Sequence, residues 1–197
     1  AHIRAFFIKH GVKAEMKRVS AEEAALLSAE EILSSESPEL QEMLGFALTW
    51  SDNLLTERIA RLASQAAGYP LNDEGVARTF DEVLTGLGVN TQGMVIKDAS
   101  GLSKDNRVSA LQVAQVLQKI QSDSRFAPII GGLPIGGVTG TLRHRFIDTA
   151  PQAIGLVRAK TGTLNGTANL AGYVEAGDRK STRLNSSHIP LSRMPSS

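Results

Sequence analysis

Residues 156–174 read LVRAKTGTLNGTANLAGYV, two short runs joined by Asn165-Gly166. Asn-Gly between such runs is a strong hairpin signal, because both residues accept the positive φ of a tight two-residue turn. Leu156–Thr163 and Thr167–Val174 are therefore expected as paired antiparallel strands. Lys160-Thr161-Gly162 lies on the first of them. Taken alone, a strand lysine is usually a solvated, edge-protecting charge. A glycine within a strand, however, often marks the close approach of another backbone or a ligand. A lysine, a hydroxyl and a glycine on an edge strand could receive a carboxylate and pair with a peptide.

Upstream of the hairpin the pattern is helical. The opening residues 1–11 read as a helix stopped by Gly11. Ser20 and Glu23 fit a capping box, favouring a helix to Leu27 or beyond. Pro38 suits a first helical position, and Leu40, Met43, Leu44, Ala47 and Leu48 follow one-face spacing. A second helix spans about Asn53 to Ala67, closed by Gly68 and Pro70. Asn72 can cap a third, ending near Gly86 or Gly88. Met94–Lys97 is a short strand candidate, and Asp98–Ser103 a loop. Ser109 and Gln112 form a second capping box, opening a helix to about Gln121. Five glycines and a proline make Gly131–Gly140 a loop. Helices followed by an antiparallel pair indicate an α+β fold.

Composition narrows the function classes. A chain of 197 residues, 42% hydrophobic and 21% charged, can bury its own core. No run reaches the ~18 apolar residues of a membrane span. With no cysteine, disulfide scaffolds, thiolate zinc sites and thiol nucleophiles are excluded. A net charge of +1 gives no reason to expect a nucleic-acid partner. His2, His10, His144 and His188 show no metal-ligand spacing, so neither metal nor cofactor is expected. Arg143, His144 and Arg145 read as a solvated basic face, and Trp50 as a core or site-wall residue.

Ser51-Asp52-Asn53 sits between two amphipathic helices, where such residues ordinarily cap. Followed about 110 residues later by Lys160-Thr161-Gly162, it says more. The pair, in this order, matches the second and third motifs of penicillin-recognising serine acyltransferases. The surrounding blocks are WSDNLLTE at 50–57, DASGLS at 98–103, LPIGGVTGTL at 133–142 and AKTGTL at 159–164. With these, the chain resembles the D-alanyl-D-alanine carboxypeptidase/endopeptidase family, the low-molecular-mass class C penicillin-binding proteins of peptidase family S13. The resemblance covers roughly residues 6–177.

The resemblance implies a transpeptidase-like domain whose antiparallel sheet packs with helices, here incomplete. It also implies cleavage of terminal D-alanine from peptidoglycan stem peptides through an acyl-enzyme, with β-lactams as inhibitors. Carried over, Ser51 would relay a proton, Asn53 would hold the substrate amide, and Asp52 would brace the turn. Lys160 would attract the substrate carboxylate, Thr161 would bond it, and Gly162 would let the peptide backbone approach. The Thr163 N–H would be one of two oxyanion donors. An extracytoplasmic location follows from the family alone. Ser100–Ser103 and Gly131–Gly140 would shape the site walls; Ser100 or Ser103 as nucleophile is the minor reading.

Two departures matter. The family's first motif is Ser-x-x-Lys, and no serine here has lysine three residues on; the nearest is Ser122-Asp123-Ser124-Arg125. That motif is expected upstream of residue 1, which would make the chain an inactive fragment without its nucleophile. At the other end, residues 178–197 carry Arg179, Lys180, Arg183 and Arg193 against Asp178; without these five, 17 basic face 19 acidic residues. The expected division is therefore a transpeptidase-like portion over 1–177 and a non-native or disordered tail over 178–197. A serine β-lactamase and a non-catalytic peptidoglycan-binding module remain the alternatives.

Overall fold

The computed structural model describes residues 2–13, 15, 17–27, 36–164, 166–175 and 182–190. These fall into two compact units, Ala1–Ser37 and Pro38–Ser197. The portion expected over 1–177 spans the first unit and the second as far as residue 177.

The first unit holds helices α1 (His2–Lys9) and α2 (Ala21–Leu26). Gly11 takes φ +75° just after α1. Glu23 N–H donates to Ser20 Oγ at 3.1 Å, and Ser20 N–H to the Glu23 carboxylate at 3.0 Å, so the capping box forms as read. α2 stops at Leu26, one residue short of the expected end.

The second unit is α+β. Helices α3 (Leu40–Trp50), α4 (Asn53–Ala66), α5 (Asp73–Gly86), α6 (Ala110–Ser122) and α7 (Ala127–Gly132) precede strands β1 (Val157–Leu164), β2 (Thr167–Glu175) and β3 (Thr182–Pro190). The capped starts form where the sequence put them: Asp52 accepts from Leu55 N–H, Asn72 from Gly75 N–H and Ser109 from Gln112 N–H. Pro38 does not open α3. Glu39 is its N-cap and makes no side-chain cap bond, so the helix begins two residues after the proline. Met94–Lys97 forms a single bridge, Val95 to Arg107, rather than a strand. Gly131 and Gly132 complete α7 instead of belonging to the following loop.

β1 and β2 pair antiparallel with Leu164 opposite Thr167, leaving a two-residue turn. Asn165 lies outside the described residues; Gly166 takes φ +87°. β3 pairs with β2, giving the order β1-β2-β3. The sequence around Thr182–Pro190 has no strand alternation, yet main-chain pairing to a free edge does not need it. β1 is consequently the outer strand on the side of the site.

The sheet has two packed faces. Tyr173 joins Leu117 of α6 and Leu133 in one cluster, with Leu48, Val113, Ile130 and Ala171 around it. Val157 and Ala159 join Leu142 in the other. Tyr173 Oη closes the first face by donating to the Leu117 carbonyl at 2.8 Å. Burial pushes that phenol up to about 12.

Candidate active site

Successive residues of a strand point to opposite faces. On β1, Val157 and Ala159 face the Leu142 cluster, so Thr161 lies on that side. Lys160 pairs with Ala171 and therefore shares the Tyr173 side. The two neighbours meet different elements. Lys160 Nζ donates to Ser51 Oγ at 2.8 Å and to the Thr161 carbonyl at 2.8 Å. Thr161 Oγ1 donates to Thr141 Oγ1 at 3.0 Å, on the 3₁₀ turn Gly140–Leu142. Residues 109 apart in sequence are thus brought into direct contact.

Ser51 reaches Lys160 because of how α3 ends. It caps that helix at φ 60°, ψ 48°, the left-handed region, which few non-glycine residues occupy. Such strain is tolerated chiefly where the surroundings hold it, often at a functional site. Asp52 then caps α4, its carboxylate accepting Leu55 N–H at 2.9 Å. Asn53 is the first residue of α4.

The outer edge of β1 is covered only part of the way. Gly136 N–H donates to the Val157 carbonyl at 2.8 Å, and Ala159 N–H to the Pro134 carbonyl at 3.0 Å. Main-chain groups of alternate residues share a direction in an antiparallel strand. The N–H groups of Thr161 and Thr163 therefore point the same way as that of Ala159, past the end of the covering segment. They open on a cavity of about 470 Å³ lined by Ser51, Asn53 and Lys160–Leu164.

Ala99–Leu102 line the cavity as well. The Glu57 carboxylate, one turn along α4 from Asn53, accepts Ala99 N–H at 2.9 Å and Ser100 N–H at 2.8 Å. Asp98 ties the same loop by accepting Gly101 N–H and Asn106 Nδ2–H, each at 2.8 Å. Ser100 lies on the wall; Ser103 Oγ accepts Asp105 N–H at 3.2 Å. Trp50 is 52% exposed, with the Arg143 guanidinium 6.0 Å from its ring centre, so it is neither core nor cavity wall.

Burial lowers the Lys160 amine below the ordinary lysine value. Desolvation disfavours the cation, and a serine hydroxyl and a carbonyl offset that only in part. Among the described residues, no three His, Cys, Asp or Glu side chains gather as a metal would require.

Sequence reasoning named Ser51, Asn53, Lys160, Thr161, Gly162 and Thr163, and all six line one cavity. It assigned no role to Glu57, Thr141 or Asn169. Glu57 and Thr141 stand inside the quoted blocks; Asn169 lines the cavity from β2 opposite Gly162, a position only strand register reveals.

Residues 5–185 match the family described as D-Ala-D-Ala carboxypeptidase 3 (S13). The chain belongs to that family. Carboxypeptidase DacB of Mycolicibacterium smegmatis is 40% identical over 147 residues, 73% of this chain and 32% of that protein. The D-alanyl-D-alanine carboxypeptidase of Actinomadura sp. is 37% identical over 152 residues, 74% of this chain and 28% of that protein. The chain thus spans about a third of the length of these relatives. The crystal structure of penicillin binding protein 4 (dacB) from Haemophilus influenzae superposes with a TM-score of 0.63 at 28% identity, over 68% of this chain and 30% of that one. The same protein complexed with a β-lactam gives 0.63 at 25% identity, over 72% and 37%. The α+β architecture is that of these penicillin-binding proteins.

Proposed function

We propose that residues 51–53 and 160–163 form the proton-relay and peptide-binding side of a serine-type D-Ala-D-Ala carboxypeptidase acting on peptidoglycan stem peptides. The observation that carries this reading is the 2.8 Å contact between Lys160 Nζ and Ser51 Oγ beside an open strand edge. A peptide laid along that edge gains main-chain hydrogen bonds, a recurrent mode of peptide capture. Gly162 offers no side chain to hold it off. Lys160 and Thr161 meet its terminal carboxylate, and the Asn53 amide holds its backbone.

The reaction needs a serine to attack the D-Ala carbonyl. In this reading the serine and its lysine belong to a Ser-x-x-Lys segment outside residues 1–197. The serine oxygen bonds to the carbonyl carbon, and the C–N bond to the terminal D-alanine breaks. Ser51 Oγ, able to donate and accept, passes the proton to the departing nitrogen. Water then cleaves the ester and frees the shortened peptide. The Thr163 N–H faces the developing oxyanion; one such donor is worth roughly 3 kcal/mol of barrier. β-Lactams enter the same first step and remain as a slow ester. Asp52 takes no part beyond capping α4. The site of action is extracytoplasmic, where peptidoglycan lies.

Release of D-alanine from a peptide ending in D-Ala-D-Ala tests this. A protein extended upstream to carry Ser-x-x-Lys releases it; the 197-residue chain does not. Ser51→Ala lowers kcat/KM by about 10²–10⁴, the range of a lost proton-transfer group. Rapid penicillin hydrolysis without peptide turnover would indicate a β-lactamase. Peptide binding without acylation would indicate a non-catalytic module.

A further inference from the structure

Thr161 has a hydroxyl neighbour outside the Ser-Asp-Asn and Lys-Thr-Gly motifs. Its Oγ1 donates to Thr141 Oγ1 at 3.0 Å, and both residues line the cavity that holds Lys160. In this pair Thr161 spends its proton on Thr141, so the Thr141 proton is the one left to turn toward an incoming acceptor. A hydroxyl that already accepts a hydrogen bond is polarised and donates better.

Thr141 is held firmly for this. Leu142, its neighbour, is 1% exposed and packs with Val157 and Ala159 of β1. Thr139 Oγ1, two residues before, accepts Ile135 N–H at 2.9 Å. Gly140 sits at φ +55° so close to α3 that an added Cβ would lie 2.2 Å from the Thr49 carbonyl oxygen. The turn is thereby pinned to the strand that carries Lys160 and to the helix end that carries Ser51. A group fixed on two rigid elements is suited to precise recognition.

We infer that Thr141 is a further substrate-binding residue: the second hydroxyl of a pocket, with Thr161 and Lys160, for a terminal carboxylate. A carboxylate offers about four acceptor positions, so the Thr141 hydroxyl and the Lys160 ammonium can both donate to it while the Thr161 hydroxyl orients Thr141. The pocket would favour peptides with a free C-terminus over those with a blocked one. This rests on the peptide-carboxylate reading proposed above.

The test uses the 197-residue chain with two probes, N-acetyl-D-alanyl-D-alanine and its C-terminal amide, titrated by NMR. The wild-type chain binds the acid more tightly than the amide. Thr141→Val reduces that preference about tenfold, the usual worth of one hydrogen bond to a charged group. Thr141→Ser, which keeps the hydroxyl, retains it. Thr141→Ala replaces the valine variant if valine lowers the melting temperature. Wild-type preference in a folded Thr141→Val or Thr141→Ala chain overturns the assignment and leaves the peptidase reading intact. A wild-type chain that does not distinguish acid from amide overturns both.

Discussion

Ser51 pairs a strained backbone with a hydroxyl 2.8 Å from the Lys160 amine. An L-residue in the left-handed region costs roughly 1–2 kcal/mol, and glycine does not incur that cost. Ser51→Gly and Ser51→Ala both lose the bond to Lys160 and only alanine keeps the strain, so the glycine variant should be about 1 kcal/mol more stable than the alanine variant in urea unfolding. Both remove the hydroxyl proposed as the relay. Lys160 gives a pH-dependent prediction. Its folded value lies below the ordinary 10.5 because burial disfavours the cation. Between those two values the unfolded chain binds more protons than the folded one, so stability gains with rising pH. Below the lowered value the burial penalty is present in full; it fades as pH rises toward 10.5. Lys160→Met carries no such penalty. The melting temperature of wild type relative to Lys160→Met should climb as pH is raised toward the lysine range, and a flat difference would contradict the burial argument.

At the scale of elements, β1 organises the site by alternation, sending Lys160 to the α3 side and Thr161 to the Gly140–Leu142 turn. Tyr173 on β2 fixes the sheet to α6 through the Leu117 carbonyl. Tyr173→Phe should cost about 1 kcal/mol by removing that bond. The phenol, raised to about 12 from 10.0, stays protonated in the fold while the unfolded chain loses its proton. Its contribution is complete below pH 10 and lost as pH climbs to about 12. The stability gap to Tyr173→Phe should narrow over that window. Capped helix starts and the hairpin were legible because each depends on a few neighbouring residues. The contact between Ser51 and Lys160 was legible only through the family resemblance, since no local rule joins residues 109 apart. Glu57 and Thr141 escaped notice because a carboxylate or hydroxyl bonding across the fold leaves no periodic trace. The β3 pairing escaped it because main-chain hydrogen bonds are indifferent to side-chain pattern.

At the scale of the molecule, the unit from residue 38 onward shows much apolar surface. On α3 and α4, Leu40, Phe46, Leu54 and Leu62 are all more than half exposed. An apolar cavity of about 370 Å³ opens among α3, α4 and α5, lined by Leu44, Ile59, Val76 and Phe80. Surfaces of this kind associate or take up apolar dyes. The 197-residue chain should bind an anilinonaphthalene dye and run as more than one species in gel filtration. A monodisperse, dye-silent, cooperatively melting chain would contradict this. Residues 51–53 and 160–163 are proposed to supply the relay and carboxylate-binding groups of an acyl-transfer site whose nucleophile lies outside residues 1–197. Intact-mass measurement after exposure to benzylpenicillin tests this most directly. No mass gain is expected on the 197-residue chain, and one penicilloyl adduct, on the Ser-x-x-Lys serine, when the chain is extended upstream. An adduct on Ser51, Ser100 or any other serine within residues 1–197 would contradict it.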